Sequence, residues 1–176
     1  LIIIIIFAVI IYILSIIIFR IISLKDLKQL ASKKIIWILN KRTKICKKYD
    51  CYAIIELKKT LTQDSVKKVL DIIKLENIQD KCLIISFDEE VLNTIRENDT
   101  SIKIGYLVKS VSQDDIDKAI NYKNCAICPK AISEDLAKYA HKNGVQINVW
   151  TADKYAQKAI LHATGVDYIT TNILDM

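Results

Sequence analysis

The first nineteen residues, Leu1 to Phe19, contain no charged residue, no glycine and no proline. As a helix rising about 1.5 Å per residue they would extend roughly 28 Å, close to the hydrocarbon thickness of a bilayer. A cleaved secretory signal is not expected, because the run has no basic start and no small-residue cleavage pattern before Arg20. We therefore expect residues 1–22 to form a retained transmembrane helix. The alternative is an unusually apolar element in a protein core.

Acidic residues are nearly absent from the next segment, in which Arg20 to Lys48 contain ten Lys or Arg residues and one acid, Asp26. Positive charge beside a span favours the cytoplasmic side and attracts anionic lipid head groups. We therefore predict a basic juxtamembrane helical segment at residues 23–50, with the folded part in the cytoplasm. Because the net charge of +6 is concentrated here, the expected partner is the lipid bilayer, and no nucleic-acid partner is predicted.

The five cysteines are odd in number and do not form a dense framework, so disulfide bonds are not expected to hold the fold together. Such cysteine usage fits a reducing compartment. Cys125 and Cys128, together with Cys46 and Cys51, could in principle supply a four-thiolate zinc site. Their spacing is loose, however, and buried free cysteines commonly behave as small apolar residues.

Short apolar runs alternate with amphipathic helical stretches from residue 51 onward. Strands are predicted at 51–57, 81–87, 102–108, 125–128, 145–150 and 166–170, and helices at 65–74, 89–97, 113–121, 133–142 and 154–163. Continuous apolar strands joined by single helices indicate parallel strands buried on both faces. Short, uniform connections favour a barrel over an open doubly wound sheet. Eight strands close such a barrel, and the sequence predicts six. We therefore predict an α/β fold, an incomplete parallel (β/α) TIM-type barrel preceded by a transmembrane helix.

Candidate functional residues lie at or just after the carboxyl ends of the predicted strands, because parallel barrels place their active sites there. This criterion selects Glu56 and Lys58, Ser86 and Phe87, Trp150 and Thr151, and 170–172. Glu56 and Lys58 are two positions apart, so they should point to one face, where they could hold a divalent cation and the anionic substrate bound to it. The alternative is a solvent-exposed ion pair.

The sequence contains two histidines, His141 and His162, and each stands three residues before a glycine. A cation in the last helical turn followed by glycine is typical of a helix C-terminus. We therefore expect both histidines to cap helices away from the catalytic face.

Residues 51–176 resemble the C-terminal part of the catalytic barrel of the glycerophosphodiester phosphodiesterase family. The resemblance is carried by the stretches YAIIELK at 52–58, IISF at 84–87, IGYL at 104–107, AHKNGVQINVWT at 140–151 and GVDYITTN at 165–172. It implies metal-assisted hydrolysis of a glycerophosphodiester to glycerol 3-phosphate and an alcohol.

The same resemblance implies a role for each candidate residue. Glu56 would be a ligand of a divalent cation, calcium or magnesium, and Lys58 would face the substrate phosphate. Trp150 would form an aromatic wall of the site, and Phe87 is a further candidate substrate-binding residue.

Four family motifs do not occur in this sequence: an H-R-G strand, the P-E-N-T that follows it, an E-x-D strand and a strand ending in H-D. In the family these segments supply the acid–base histidines and the other metal-binding carboxylates. We therefore expect a phosphodiesterase-like chain that is inactive by itself; the alternative is a non-catalytic, membrane-anchored binding or assembly module. An unclosed sheet edge further predicts a homodimer or marginal stability.

Overall fold

A computed structural model describes residues 45–46, 48–49, 51–59 and 61–173. All of them belong to the second of the two units into which the chain divides, Asn40–Met176. The predicted transmembrane helix at 1–22 and most of the predicted basic segment at 23–50 lie outside the described residues. Within the described ranges, no helix combines the length and the apolarity needed to cross a membrane.

Strands and helices alternate along the described residues, as the sequence predicted. The strands are β1 (Ala53–Glu56), β2 (Cys82–Ser86), β3 (Lys103–Val108), β4 (Cys125–Pro129), β5 (Asn148–Val149) and β6 (Tyr168–Ile169). The helices are α1 (Gln63–Leu75), α2 (Glu89–Asn98), α3 (Gln113–Tyr122), α4 (Glu134–Lys142) and α5 (Tyr155–Thr164). The predicted order is confirmed, although the last two strands are shorter than expected.

The strands are parallel and follow one another in chain order. β1 to β4 form one sheet and β5 pairs with β6. A parallel bridge between Ile127 and Ile147 joins β4 to β5, and the amide of Trp150 donates to the carbonyl of Pro129 at 3.1 Å. A doubly wound sheet would reverse its strand order at a switch point. This continuous order instead builds the wall of a barrel.

The two faces of this wall are packed differently. Ile84, Ile104 and Ile127 lie on the outer face, where Tyr106 reaches α2, and all three isoleucines are 0% exposed. On the inner face, Ile54 is 50% exposed and Phe87 45% exposed. The helices therefore cover the outer face, while part of the inner face remains accessible among the described residues.

Polar side chains fix where four of the helices begin. The N-cap residues Thr62, Asp88, Ser112 and Ser133 each accept a hydrogen bond from a backbone amide in the first turn. These bonds satisfy amides that have no partner within the helix. The cap of α2 matters most for function, because Asp88 lies at the carboxyl end of β2, directly after Phe87.

Candidate functional site

Glu56, Lys58 and Phe87 line one pocket at the carboxyl ends of β1 and β2. The pocket has a volume of about 560 Å³, and its remaining lining residues are Leu57, Lys59, Asp88 and Glu89. Three of the four residues for which the sequence analysis proposed a binding role therefore share one site; the fourth is Trp150. Their position matches the edge of the sheet at which parallel barrels bind substrates.

The side chains of Glu56 and Lys58 point to the same face of β1. Both are exposed, whereas Leu57 between them is buried, which is the alternation expected of a strand. Among the described residues, neither charged side chain has a hydrogen-bond or ion-pair partner, and the two do not pair with each other. Both charges are therefore available to a ligand, and the alternative of an exposed ion pair is not formed.

Trp150 contacts the pocket through Phe87. The two rings pack edge to face with centroids 5.4 Å apart, and the indole Nε1 of Trp150 donates to the carbonyl of Cys128 at 2.6 Å. The ammonium of Lys130 lies 5.5 Å from the centroid of the Trp150 ring. Phe87 and Trp150 thus form a packed pair of rings with a cation beside it. The role of Trp150 as an aromatic wall of a binding site stays a prediction.

The other two carboxylates of the pocket are engaged in the fold. Oδ1 of Asp88 accepts the amide of Glu90 at 2.9 Å. Oε1 of Glu89 accepts hydrogen bonds from Lys118 at 2.6 Å and from the Tyr106 hydroxyl at 2.9 Å. The bond from Lys118, followed by that from Tyr106, lowers the pKa of Glu89. Burial, together with the bond to Glu89, raises the pKa of Tyr106 to about 12.

The described residues do not by themselves form a divalent-cation site. Across these ranges, no three His, Cys, Asp or Glu side chains come together in a way that could hold a metal ion. Calcium and magnesium require six or more oxygen ligands, and Asp88 and Glu89 are already bonded elsewhere. Glu56 as a calcium or magnesium ligand therefore stays a prediction, and any such site would need further donors.

The alternative of a thiolate zinc site is wrong for the described cysteines. Cys125 and Cys128 are three positions apart on β4, so they point to opposite faces of the sheet. Burial raises the pKa of each thiol to about 12, which keeps both protonated. These cysteines are packing residues.

His141 lies at a helix end, as predicted, and also contacts a residue that the sequence analysis did not identify. It lies in the last turn of α4, as predicted, but its Nε2 is 2.9 Å from Oδ2 of Asp167. The same oxygen accepts the amide of Ile147 at 2.8 Å. His162 lies in the last turn of α5. Because helix ends lead into the amino ends of the following strands, both histidines lie at the end of the sheet away from the pocket.

The sequence matches the model of the Glycerophosphoryl diester phosphodiesterase family over residues 19–176. The chain belongs to this family. Solved structures of related fold include a glycerophosphodiester phosphodiesterase from Parabacteroides distasonis, with 22% identity and a TM-score of 0.67 over 76% of this chain and 59% of that one. A phosphodiesterase from Oleispira antarctica has 17% identity and a TM-score of 0.68 over 75% and 56% of the two chains.

The glycerophosphodiester phosphodiesterase from Agrobacterium tumefaciens is less similar in structure, with 19% identity and a TM-score of 0.53 over 68% of this chain and 52% of that one. This member of the family therefore spans between 52% and 59% of the length of these solved relatives. A comparison with curated protein sequences gave no match. The structural likeness confirms the parallel α/β fold of TIM-barrel type.

Lys130 is the pocket neighbour that the sequence analysis of this family member missed. It follows Pro129, the last residue of β4, and thus occupies a strand end of the same kind as Lys58. Selecting the first two residues after every predicted strand, including the short one at 125–128, would have found it. Its proximity to Trp150 depends on the neighbouring strand and is not encoded locally.

Proposed function

We propose that the pocket at the ends of β1 and β2 binds the phosphate of a glycerophosphodiester. The observation that carries this proposal is the convergence of two exposed charges without internal partners, Glu56 and Lys58, on a pocket lined by Phe87. Family membership supports it, since the Oleispira antarctica relative is described in complex with the product sn-glycerol-3-phosphate.

In this proposal each group has a distinct task. The ammonium of Lys58 carries three donors on a flexible stem and neutralises a phosphate oxygen as a point charge. Phe87, held edge-on by Trp150, offers an apolar wall to the glycerol or the leaving alcohol. Lys130, beside Trp150, adds a second cation near that wall. Glu56 either hydrogen-bonds the glycerol hydroxyls or joins ligands from outside the described residues in holding a cation.

We further propose that this chain does not hydrolyse the diester by itself. General acid–base catalysis needs a titrating group within hydrogen-bond reach of the reacting oxygen. The sequence has two histidines, and both lie in last helical turns, at the other end of the sheet. This placement also favours the second candidate function, a non-catalytic module that retains the binding site.

A direct assay separates turnover from binding. The full chain in detergent should release no glycerol 3-phosphate from glycerophosphocholine in the presence of calcium or magnesium. It should still bind sn-glycerol 3-phosphate in a calorimetric titration. Turnover that is abolished by Glu56→Gln would show that the chain is an active phosphodiesterase and would contradict the second part of the proposal.

A charge-matched pair of variants tests the site itself. Lys58→Met should weaken binding of sn-glycerol 3-phosphate at least tenfold, about 1.4 kcal/mol, because it removes the phosphate-facing cation. Lys67→Met removes the same charge from an exposed position on α1 and should leave the affinity unchanged. Equal losses in both variants would point to general charge attraction and exclude a site at Lys58.

We also propose that residues 1–22 anchor the protein in a membrane with the family domain in the cytoplasm. The support is the uncharged run at Leu1 to Phe19 and the basic segment that follows it. In sealed spheroplasts, a protease added outside should leave the C-terminal domain intact. Cleavage of that domain without permeabilisation would reverse the proposed orientation.

A homodimer through an open sheet edge completes the proposal. Among the described residues, β1 pairs on one side only, with β2, and an unpaired edge is a template for a second chain. Size-exclusion chromatography with light scattering in detergent should report a protein mass twice that of the chain. A well-folded monomer at micromolar concentration would rule out this assembly.

A further inference from the structure

Ser86, the last residue of β2, has a fully buried side chain that makes two hydrogen bonds. Its Oγ donates to the carbonyl of Leu57 at 2.7 Å and accepts the amide of Asp88 at 3.0 Å. Its exposed fraction is 0%, so it cannot touch a ligand in the pocket. The hydroxyl is therefore fully used inside the protein.

These two bonds connect the two segments that carry the candidate binding residues. Leu57 lies between Glu56 and Lys58, and Asp88 directly follows Phe87. One hydroxyl thus links the strand end that presents both charges to the turn that presents the aromatic ring. Any shift of one segment relative to the other must break or lengthen one of these bonds.

The position of the link explains why a side chain is needed there. Regular pairing of β1 with β2 ends at Glu56 and Ile85, and one further backbone bond joins the amide of Leu57 to the carbonyl of Ile85 at 2.9 Å. The next carbonyl along, that of Leu57, is bonded by Ser86 Oγ. Ser86 therefore continues the connection between the strands beyond the end of the backbone ladder, at the level of the pocket.

We infer that Ser86 is a positioning residue that holds Lys58 and Phe87 at the spacing required to bind the phosphate group and its organic substituent. This inference rests on the proposed function of the pocket. Ser86 acts through the backbone of Leu57 and Asp88 and has no direct contact with the ligand. An alanine at this position would leave both backbone groups without this partner in a buried setting.

The test compares Ser86→Ala with Thr94→Val in the full chain. Thr94 is also buried, at 3% exposure, and its hydroxyl donates to the carbonyl of Glu90 at 2.9 Å within α2. Each variant therefore removes one buried, bonded hydroxyl. Well below the unfolding temperature, Ser86→Ala should lower the affinity for sn-glycerol 3-phosphate about tenfold, while Thr94→Val should leave it unchanged.

Hydrogen exchange provides a readout that does not depend on a ligand. In Ser86→Ala the amide of Asp88 loses its acceptor. The amide of Leu57, bonded to the Ile85 carbonyl, lies in the strand end that is no longer held. Peptides containing Asp88 and Leu57 should therefore exchange faster than in the parent, whereas peptides from α4 should not change. Equal affinity losses in the two variants, or unchanged exchange at Leu57, would overturn the inference. If the unmodified chain fails to bind sn-glycerol 3-phosphate, the proposed function fails and the positioning role fails with it. Exchange at Leu57 then still decides whether Ser86 links the two segments.

Discussion

Several charged residues at the two ends of the parallel sheet differ in how the fold uses them, although Asp88 and Glu89 at the carboxyl end are bonded within the fold. At the amino end, Arg96, Asp99 and Asp167 are bonded to groups within the fold. At the carboxyl end, Glu56 and Lys58 have no such partners among the described residues. A charge that the fold itself satisfies contributes to stability, whereas an exposed, unpaired charge contributes little and remains free to bind. Substitutions at the two ends should therefore change different measured quantities.

Arg96 is the clearest case at the amino end. Its guanidinium nitrogens donate hydrogen bonds of 2.6–3.1 Å to five backbone carbonyls, those of Asp99, Ile102, Tyr122, Lys123 and Asn124. The planar guanidinium can serve several acceptors at once because its donors have a fixed fork geometry. One side chain thereby joins the segment before β3 to the segment before β4.

The largest effect is expected for Arg96→Ala. We expect it to lower the free energy of unfolding by about 3–4 kcal/mol, because several partly buried carbonyls lose a charged donor together. Arg96→Lys should recover little of this loss, since an ammonium cannot reproduce the fork. Urea unfolding followed by circular dichroism measures both values. A loss below about 1 kcal/mol would show that water replaces these bonds without difficulty.

Gly105, in the middle of the inner face, should be the next most sensitive position. A Cβ at this position would lie 2.7 Å from Sγ of Cys128 and 2.9 Å from Cγ2 of Ile85. Gly105→Ala should therefore cost about 1–3 kcal/mol through overpacking. Gly144→Ala is the contrasting variant, because a Cβ there meets no atom within 4 Å and only the backbone φ of +71° is unfavourable. Thermal unfolding should show a larger loss of stability for Gly105→Ala than for Gly144→Ala. The opposite order would contradict the close packing at Gly105.

Asp99 should make stability depend on pH in the acidic range. Burial alone would raise the pKa of Asp99, but bonds from the amides of Ile102 and Ser101, the Ser101 hydroxyl and Lys74 lower it to about 2. The stabilisation is complete above the unfolded pKa of about 3.9, and it disappears as the pH falls towards 2. We expect this group to account for about 2 kcal/mol of stability.

Urea unfolding between pH 5 and pH 2 checks the contribution of Asp99. The parent should lose stability mainly below pH 4, and Asp99→Asn should show a shallower dependence over the same interval. If the free energy of unfolding falls equally steeply with pH in both proteins, other carboxylates dominate acid unfolding.

The smallest effects on stability are expected at the carboxyl end. Glu56→Gln and Lys58→Met should each change the free energy of unfolding by less than about 0.5 kcal/mol, because the side chains are exposed and without partners. Lys58→Met should nevertheless abolish most ligand binding. Differential scanning calorimetry on both variants would test the predicted effect on stability. A loss of more than about 1 kcal/mol in the free energy of unfolding would contradict the difference in stability effects between the two ends of the sheet.

Local patterns in the sequence were sufficient for the order of the elements. Apolar runs marked the strands, and apolar residues at helical spacing marked the helices between them. The exposure of Glu56 and Lys58 could also be predicted from the sequence, because the two residues alternate with the buried Leu57. The order of the elements and the exposure of these two side chains could be predicted because each depends on neighbours within a few positions along the chain. The binding role of Glu56 and Lys58 stays a prediction.

The remaining features depend on contacts between distant residues. Ser86 bonds Leu57 across 29 positions, Arg96 bonds Asn124 across 28, and His141 meets Asp167 across 26. The spacing of apolar residues along the sequence does not indicate contacts of this kind. The sequence therefore predicted that His141 ends a helix and missed its partner, and it identified Ser86 as a strand-end residue without a role.

The strict chain order of the strands has a consequence for how this domain folds and evolves. Each strand pairs with the next one along the chain, at separations of 20 to 29 positions, so the wall can grow by adding one strand–helix unit at a time. A unit at one end depends directly on a single neighbour, as in repeat proteins. Such an architecture tolerates changes in the number of units better than one whose central strands come from distant parts of the gene.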